Sequence, residues 1–254
     1  MSALTVAGSI PEELLSLSGS DLRALMMRAN PGVWAEEARG FHNVPLHWEW
    51  YRLMPMAMRL AIVAPREHAK TECFTVNQTA WRSIYQAGTW TYVFANTLDQ
   101  GMEIKDRIDR AVEEAQPQLV DHARIMTKKE TTYSNLSRVT VGGAGKAVRG
   151  AHPDVIIGDD VLEEDTSMSR MHREKLSRWW LGTVSNMAHP GTTRTIRGGR
   201  RVTMPATRVF LVGTPFHQED LLMSMKKNPM YRFRRYAAEY APEDLVDGLA
   251  VEIG

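Results

Sequence analysis

Apolar residues along this chain form short runs of strand length that alternate with longer amphipathic stretches. The runs cover residues 60–65, 89–95, 138–141, 154–157 and 208–212. Residues 70–87 and 98–115 instead show apolar positions at helical spacing. Because strands alternate with helices, the pattern predicts a mostly parallel sheet with helices on both faces, which is an α/β fold.

The N-terminal region is predicted to be helical. Apolar residues recur at helical spacing at Leu14, Leu15, Leu22, Leu25 and Met26. They indicate a helix over residues 11–30, in which Ser20 or Asp21 could cap a second piece. The stretch 42–60 is rich in Trp, Tyr and Met and predicts a further helix packed against the body of the domain.

Length and charge limit the possible classes of protein. The 254 residues fit either one large α/β domain or one domain with an N-terminal appendage. The net charge of +1 means that any contact with a polyanion must come from local patches. Cys73 is the single cysteine, which excludes an internal disulfide and suits a reducing cytosol. No apolar stretch reaches the length of a membrane span, and residues 1–8 lack the basic start of a signal peptide. We therefore expect a soluble cytoplasmic protein.

A candidate phosphate-binding loop follows the first apolar run and opens a predicted helix. Residues 64–71 read A-P-R-E-H-A-K-T, against the usual pattern G-x-x-x-x-G-K-[ST]. Lys70 and Thr71 are kept, whereas Ala64 and Ala69 replace both glycines. In such a loop the lysine reaches the β- and γ-phosphates and the hydroxyl ligates magnesium. Alanine fits if its backbone angles stay ordinary. Alternatively, Lys70 and Thr71 are simply first-turn helix residues.

Two carboxylates, Asp159 and Asp160, follow another predicted buried strand. In a P-loop enzyme the first would hold magnesium through water, and the second would orient or deprotonate the attacking water. Many such motors have glutamate at the second position, so Glu163 or Glu164 is an alternative. The other interpretation is a solvated acidic loop. Because the loop and the carboxylates each lie at the carboxyl end of a predicted strand, together they favour nucleotide hydrolysis.

Two further residues are candidates for the same chemistry. Thr214 ends the last apolar run and can hydrogen-bond toward a γ-phosphate, although Gly-Thr-Pro is also ordinary turn chemistry. Arg149 precedes the acidic strand. An arginine placed across a subunit interface can neutralise transition-state charge. The alternative is a surface arginine in a glycine-bounded loop.

These segments resemble the large terminase subunit of tailed phages, a DNA-packaging motor. The similarity rests on P-R-E-H-A-K-T at 65–71, V-R-G at 148–150, V-I-I-G-D-D at 155–160 and G-T-P-F-H-Q-E-D at 213–220. The segment F-H-N-V-P-L-H-W at 41–48 is similar to the adenine-side motif of that family. The resemblance implies a RecA/ASCE-like P-loop NTPase that uses ATP and Mg²⁺.

The resemblance also implies a role for each motif residue. The nucleotide would contact Pro65, Arg66, Glu67, His68, Ala69, Lys70, Thr71, His47 and Thr214. Within that set, Arg66 would sense the γ-phosphate and Thr214 would belong to a coupling motif. Thr71 and Asp159 would hold magnesium, and Asp160 would be the catalytic carboxylate, as in the branch of the family that uses Asp-Asp. Arg149 would be donated in trans to a neighbouring subunit's ATP.

The family's organisation implies domains and partners. We expect a helical appendage over residues 1–40, a P-loop ATPase domain over 41–240 and a linker over 241–254. Members of the family carry an RNase H-like nuclease domain after the linker, so this chain would be either an ATPase-domain fragment or a protein whose nuclease is supplied elsewhere. We expect no nuclease activity from this chain. The implied partners are double-stranded DNA, a portal protein, the small terminase subunit and further copies in a ring. The setting would be the cytoplasm of an infected cell, with no membrane contact.

Residues 191–201, within a basic segment over residues 191–208, are the leading candidate for DNA contact. The segment carries Arg194, Arg197, Arg200 and Arg201 around a Gly-Gly turn, which predicts a β-hairpin. Such arginines could grip duplex phosphates without reading sequence. A second candidate set is Lys226, Lys227, Arg232, Arg234 and Arg235. The alternatives are a solvated basic surface or arginines that reach a neighbouring subunit's phosphates. Trp179 and Trp180 are interpreted as core or interface residues rather than base-stacking ones.

Three functions are compatible with these motifs. The first is the packaging ATPase, and the second is a helicase-like translocase, which usually carries two motor domains. The third is a nucleotide-gated binding module that does not hydrolyse, because both loop glycines are alanine and Asp160 is short.

Overall fold

A computed structural model describes residues 17–146, 148–237, 245–246 and 249–253 of the chain. The strands are β1 (Arg59–Val63), β2 (Trp90–Ala95), β3 (Ile125–Met126), β4 (Glu130–Thr132), β5 (Arg138–Gly143), β6 (Val155–Asp159), β7 (Thr192–Thr195), β8 (Arg201–Met204), β9 (Arg208–Gly213), β10 (Arg232–Tyr236), β11 (Leu245–Val246) and β12 (Leu249–Ile253). The helices are α1 (Gly19–Ala29), α2 (Pro31–Arg39), α3 (Pro45–Met56), α4 (Gln78–Tyr85), α5 (Leu98–Ala115), α6 (Pro117–Asp121), α7 (Glu164–Ser167), α8 (Arg170–Trp179), α9 (Ser185–Met187) and α10 (Leu221–Ser224). Thr71–Asn77 and Trp180–Val184 are π-helical and lead into α4 and α9, and Arg197–Gly199 and Met225–Lys227 are 3₁₀ turns.

The described strands form one ten-stranded sheet in the order β11-β12-β10-β1-β9-β6-β2-β5-β4-β3, and β7 and β8 form a separate hairpin. The six strands from β10 to β5 in that order run parallel. The outer strands β12, β4 and β3 pair antiparallel. The expected mostly parallel α/β fold is confirmed. Since β9 lies between β1 and β6, the carboxyl ends of these three strands are neighbours.

Alternation along β1 shows why both faces of the sheet are covered. Leu60 and Ile62 belong to one core cluster, and Ala61 and Val63 belong to the other. The first cluster also contains Trp34, Trp50, Phe74, Ile108 and Tyr133, and the second contains Phe94, Trp180, Leu221 and Phe233. A strand buried on both faces needs apolar side chains at every position, which is the continuous run seen in the sequence.

Local signals account for most helix boundaries. α5 begins at Leu98 because Thr97 and Gln100 form a reciprocal capping box, with both hydrogen bonds at 3.2 Å. The cap of α1 is Ser18 rather than the predicted Ser20 or Asp21, and it accepts a hydrogen bond from the amide of Asp21. Residues 11–16 of the helix predicted over 11–30 lie outside the described part of the chain. None of the described helices is long and apolar enough to cross a membrane.

The predicted domain boundaries stay predictions. Within the predicted appendage over residues 1–40, Trp34 and Ala35 of α2 are buried in the first core cluster. The predicted linker over 241–254 contains β11 and β12, and β12 pairs with β10. Leu249–Ile253 reads L-A-V-E-I, and this β-prone composition explains why it adds a strand.

Candidate functional site

Hydrogen bonds join the ends of β1, β6 and β9, three elements far apart in sequence. Lys70 Nζ donates to Thr214 Oγ1 at 3.1 Å, and Thr71 Oγ1 donates to Asp159 Oδ1 at 3.0 Å. The amide of Thr214 donates to Asp160 Oδ1 at 3.1 Å. The structure therefore brings together the lysine loop, both aspartates and the threonine at one edge of the sheet.

The loop between β1 and the helix turns through two left-handed residues. Glu67 has φ 65° and Ala69 has φ 54°, whereas Ala64 is not in this region. The condition under which alanine fits such a loop, an ordinary backbone angle, is therefore met by Ala64 but not by Ala69. A left-handed conformation costs an L-residue roughly 1–2 kcal/mol, which is the physical reason that glycine is usual here.

We expect Ala69→Gly to raise the free energy of unfolding by about 0.5–1 kcal/mol, because relief of the left-handed strain outweighs the added freedom of the unfolded chain. Ala64→Gly is the matched control. Ala64 is buried with an ordinary φ, so that change should lower stability by about 0.5–1 kcal/mol. Urea unfolding measures both. Equal destabilisation by the two substitutions would contradict the assignment of strain to Ala69.

Lys70 is a buried cation held by neutral oxygens. It is 5% exposed, and Nζ donates to the carbonyl oxygen of Pro65 at 2.6 Å in addition to Thr214. Burial lowers the pKa of Lys70, and the charges of Asp160 and Asp159 partly oppose this effect. Among the described residues, no carboxylate lies within ion-pair distance of Nζ. The ammonium is thus positioned for an anion that the protein itself does not supply.

Asp159 is held by two hydroxyls on one face of the helix. It is 2% exposed, and Thr71 Oγ1 and Thr75 Oγ1 donate to its two carboxylate oxygens at 3.0 and 2.6 Å. Burial raises the pKa of Asp159 to about 6. Thr75 was not among the residues predicted from the sequence. Its position four residues after Thr71 could have identified it, because that spacing puts both hydroxyls on the same face of a helix.

The residues around Asp159 fit a magnesium ion whose other ligands are phosphate oxygens and water. No group of three or more His, Cys, Asp or Glu side chains that could hold a metal occurs in the described part of the chain. Magnesium commonly uses one or two carboxylates, with phosphates and waters as the other ligands. Asp159 and Thr71 match that pattern, and a divalent cation would stabilise the charged form of the buried carboxylate.

Asp160 is fixed by the backbone around it. Its φ is 42°, its amide donates to the carbonyl oxygen of Val212 at 3.0 Å, and its carboxylate accepts from the Thr214 amide. A Cβ at Gly213 would lie 2.9 Å from Asp160 Oδ1, so the carboxylate occupies space that only glycine leaves. The side chain is exposed and faces the strand-end site. Glu163 is also exposed, and no hydrogen bond holds its carboxylate among the described residues.

Arg66 links the loop to the two other strand-end segments. Its Nη2 lies 3.5 Å from Glu164 Oε2, and its guanidinium lies 5.4 Å from the ring centre of Phe216. Both partners of the ion pair are more than half exposed, so the pair contributes little stability. The neighbouring His68 approaches the carbonyl oxygen of Arg66 at 2.8 Å. Arg66 can therefore exchange Glu164 for another anion at small cost.

His47 is buried in α3 beside the loop. Its Nδ1 accepts from the Val44 amide at 3.3 Å, and its ring lies 5.4 Å from that of Phe41 and 5.5 Å from that of Trp50. Burial lowers the pKa of His47, an effect that a backbone interaction with His68 partly opposes. A contact between His47 and a nucleotide base stays a prediction.

Arg149 is not brought to the strand-end site of its own chain. Its side chain is exposed, and Gly150 lines a cavity of about 620 Å³ together with Trp90 and His189 at the amino-terminal ends of β2 and β6. That edge is opposite the one where Lys70 and Asp159 lie. Among the described residues no hydrogen bond or ion pair joins Arg149 to the Lys70 site, and a role in trans stays a prediction.

The predicted basic hairpin is observed as β7 and β8, but one of its arginines has a structural role. Arg194 donates to the buried carboxylate of Asp154 at 2.6 Å and to the carbonyl oxygens of Gly88 and His152 at 3.2 and 3.0 Å. Arg194 therefore attaches the hairpin to the domain, and its contact with DNA stays a prediction. Arg200 and Arg201 are exposed, and Arg197 begins the 3₁₀ turn.

The second candidate set for DNA contact lies partly in the sheet. Arg232, Arg234 and Arg235 belong to β10, which pairs parallel with β1, and Phe233 and Tyr236 of the same strand are buried. Phe233 packs in the second core cluster and Tyr236 in the first, so the two lie on opposite faces of the sheet. Arg234 Nη1 donates to the carbonyl oxygen of Phe233 at 2.9 Å. The run R-F-R-R-Y is therefore a sheet strand rather than a projecting basic loop.

No protein-family model and no curated protein sequence matches this chain. The fold is similar to solved structures of the ATPase domain of the large terminase of Thermus phage P74-26. One such structure has a TM-score of 0.51 and 16% sequence identity, and the match covers 73% of this chain and 70% of that chain. An arginine-to-alanine mutant of the same domain gives a TM-score of 0.50 and 14% identity over the same shares. The likeness supports, at the level of the fold, the resemblance seen in the sequence motifs.

Proposed function

We propose that this chain is the ATP-hydrolysing motor domain of a DNA-packaging terminase. The observation that carries the proposal is the set of hydrogen bonds from Lys70 to Thr214, from Thr71 to Asp159 and from Thr214 to Asp160, which join three neighbouring strand ends. Ligands of open α/β sheets bind at this edge. The shared fold with a phage terminase ATPase domain supports the choice of this motor class among P-loop enzymes.

The strand-end residues fit ATP and magnesium. Lys70 would exchange the Pro65 carbonyl for β- and γ-phosphate oxygens, and the amides at the start of the helix would face the phosphates. Thr71 and Asp159 would hold magnesium, which when bound neutralises charge on the phosphates. Asp160 would orient the attacking water and accept its proton at the carboxylate. Arg66 would leave Glu164 for the γ-phosphate.

Thr214 is in a position to report the state of the phosphate. Its hydroxyl donates to the carbonyl oxygen of Ala64 at 3.2 Å while accepting from Lys70, and its amide holds Asp160. A displacement of Lys70 on loss of phosphate would therefore change a contact at the end of β9. This contact would couple hydrolysis to the segment that follows β9.

The catalytic carboxylate is proposed to be Asp160 rather than Glu164. We expect Asp160→Asn to lower kcat by about a hundredfold or more, because the amide cannot accept the proton of the attacking water. Glu164→Gln is the matched control and should change kcat less than about threefold, since Glu164 is exposed and pairs with Arg66. Steady-state phosphate release measures both. The reverse order of effects would assign catalysis to Glu164.

Magnesium-dependent phosphate release is the direct test of the proposed activity. The protein should release phosphate from ATP with Mg²⁺ but not with a chelator, and duplex DNA with portal-bearing capsids should accelerate release. ATP retained without phosphate release under those conditions would favour the non-hydrolysing binding module. Strand separation of duplex DNA would favour the helicase-like translocase.

Contact of the hairpin with DNA phosphates is proposed for Arg200 and Arg201. Each change to Gln should weaken duplex binding similarly for all sequences and reduce the slope of log K against log salt by about 1. Arg110→Gln is the control, because Arg110 is exposed on α5 away from the hairpin. Binding measured over a range of NaCl concentrations gives the slopes. If the slopes equal those of the unaltered protein, Arg200 and Arg201 do not contact DNA phosphates.

A further inference from the structure

A second cavity lies at the sheet edge opposite the proposed nucleotide site. Its volume is about 770 Å³, and it lies between α3, α4 and β8 at the amino-terminal ends of β2, β6 and β9. Its lining includes Tyr51, Met56, Trp81, Arg82, Tyr85 and Arg208. The volume is within the range of small-molecule sites.

Two guanidinium groups in the cavity wall have only neutral partners. Arg82 is 9% exposed, and its Nη1 donates to Gln86 Oε1 at 2.7 Å. With the Gln78 amide turned so that its oxygen faces the guanidinium, that oxygen accepts from Nε and Nη2 of Arg82 at 2.8 and 3.0 Å. Arg208 donates to the carbonyl oxygens of Met54, Pro55 and Ala57 at 2.9, 2.7 and 3.3 Å. In the described ranges neither arginine forms an ion pair.

Burial makes the positive charge of Arg82 energetically unfavourable at its position in the cavity wall. Burial, with a smaller contribution from the nearby charge of Arg208, lowers the pKa of Arg82 to about 10, and the charge of Asp154 partly opposes this effect. The group stays protonated at neutral pH, so the fold keeps two like charges close together in a partly desolvated wall. An anion in the cavity would offset both the desolvation and the repulsion.

The one carboxylate in the cavity wall is already engaged. Asp154 accepts from Arg194 at 2.6 Å, from the amide of Trp90 at 2.7 Å and approaches His189 at 3.1 Å. Arg52 and Arg200, which also line the cavity, are exposed and add positive charge. The cavity therefore has an excess of positive charge that the protein does not balance.

Aromatic side chains form the rest of the wall. Trp81 and Tyr85 have ring centres 6.1 Å apart at an interplanar angle of 51°, and the buried Tyr51 also faces the cavity. Flat apolar groups pack well on such rings. The cavity thus combines a cationic wall with an aromatic one.

We propose that this cavity binds a small phosphate monoester attached to a flat ring. A phosphate monoester is a dianion and can neutralise both Arg82 and Arg208, whereas a single carboxylate would leave one of them unbalanced. The ring would pack against Trp81 and Tyr85. This site is separate from the strand-end site and does not depend on the proposed ATPase activity.

Titration calorimetry with phenyl phosphate tests the proposal on the whole chain. Phenyl phosphate should bind more tightly than inorganic phosphate or benzoate. Arg82→Gln and Arg208→Gln should each weaken its binding by about tenfold or more. Substitution of the partly or fully buried arginines could also affect folding. A second variant is therefore made at Met56, which is exposed, so that the core stays intact. Met56→Glu places a carboxylate at the cavity and should also weaken binding about tenfold.

Lys70→Ala separates this site from the phosphate loop. Binding of phenyl phosphate should be unchanged in Lys70→Ala, whatever the fate of ATP hydrolysis in that variant. Loss of binding in Lys70→Ala, with retention in Arg82→Gln and Met56→Glu, would overturn the proposal by placing the ligand in the loop. No binding of phenyl phosphate to the unaltered protein would also overturn it. The proposal would also be overturned if Arg82→Gln lost binding to duplex DNA but kept binding to phenyl phosphate, because the cavity wall would then contact DNA instead.

Discussion

Lys70→Ala is expected to lower ATP turnover by about a thousandfold or more without loss of the fold. Lys70 Nζ, already fixed between Pro65 and Thr214, is the group that would meet the β- and γ-phosphates. Alanine cannot supply the positive charge to those oxygens in the transition state. Steady-state phosphate release measures turnover, and urea unfolding measures stability.

The stability of Lys70→Ala follows from the sign of the pKa shift. Burial lowers the pKa of Lys70 below its value in the unfolded chain, so the folded state disfavours the charged form. Below the folded-state pKa the ammonium therefore costs stability, and its removal offsets part of the lost packing. The unfolding free energy should stay within about 1 kcal/mol of the original. Lys128→Ala, at an exposed lysine, is the control for both measurements. Normal hydrolysis by folded Lys70→Ala would show that the loop is not the catalytic one.

Arg149→Ala is expected to lower turnover at high protein concentration by about a thousandfold, the usual contribution of an arginine supplied in trans. The exposed Arg149 lies away from its own chain's Lys70, so it would act on a neighbour's ATP. Turnover of the unaltered protein should rise steeply with concentration, and this dependence should be lost in the variant. Arg110→Ala, at another exposed arginine, should leave the dependence intact.

Mixing two inactive variants separates a role in trans from a role in cis. Lys70→Ala keeps Arg149 but lacks a working loop, whereas Arg149→Ala keeps the loop but lacks the arginine. If neighbours share the arginine, the mixture should regain part of the turnover that each variant lacks alone. A mixture as inactive as its components, at concentrations where the unaltered protein is active, would contradict the role in trans.

The sequence was sufficient for the parts of the fold with strong local signals. α5 has the predicted bounds because its amphipathic pattern coincides with the Thr97–Gln100 capping box. The buried parallel strands were also predicted, since they read as continuous apolar runs. β10 was missed because it carries three arginines, and its pairing with β1 joins residues far apart in the chain. Local pattern cannot report such a pairing.

Within the candidate site, sequence could supply residue types but not their conformations or partners. The left-handed φ of Ala69 depends on how the whole loop closes between β1 and the helix. The attachment of Arg194 to Asp154 joins residues forty positions apart, so a basic hairpin in the sequence looked free for DNA. Thr75 was overlooked because no motif includes it, although its hydroxyl holds Asp159.

A structure of the protein with Mg²⁺ and a non-hydrolysable ATP analogue tests the central claim most directly. We predict that Lys70 Nζ leaves the Pro65 carbonyl for β- and γ-phosphate oxygens, and that Thr71 and Asp159 converge on the magnesium ion. A triphosphate bound away from the ends of β1, β6 and β9, or with Lys70 still on Pro65 and Thr71 still on Asp159, would contradict the account.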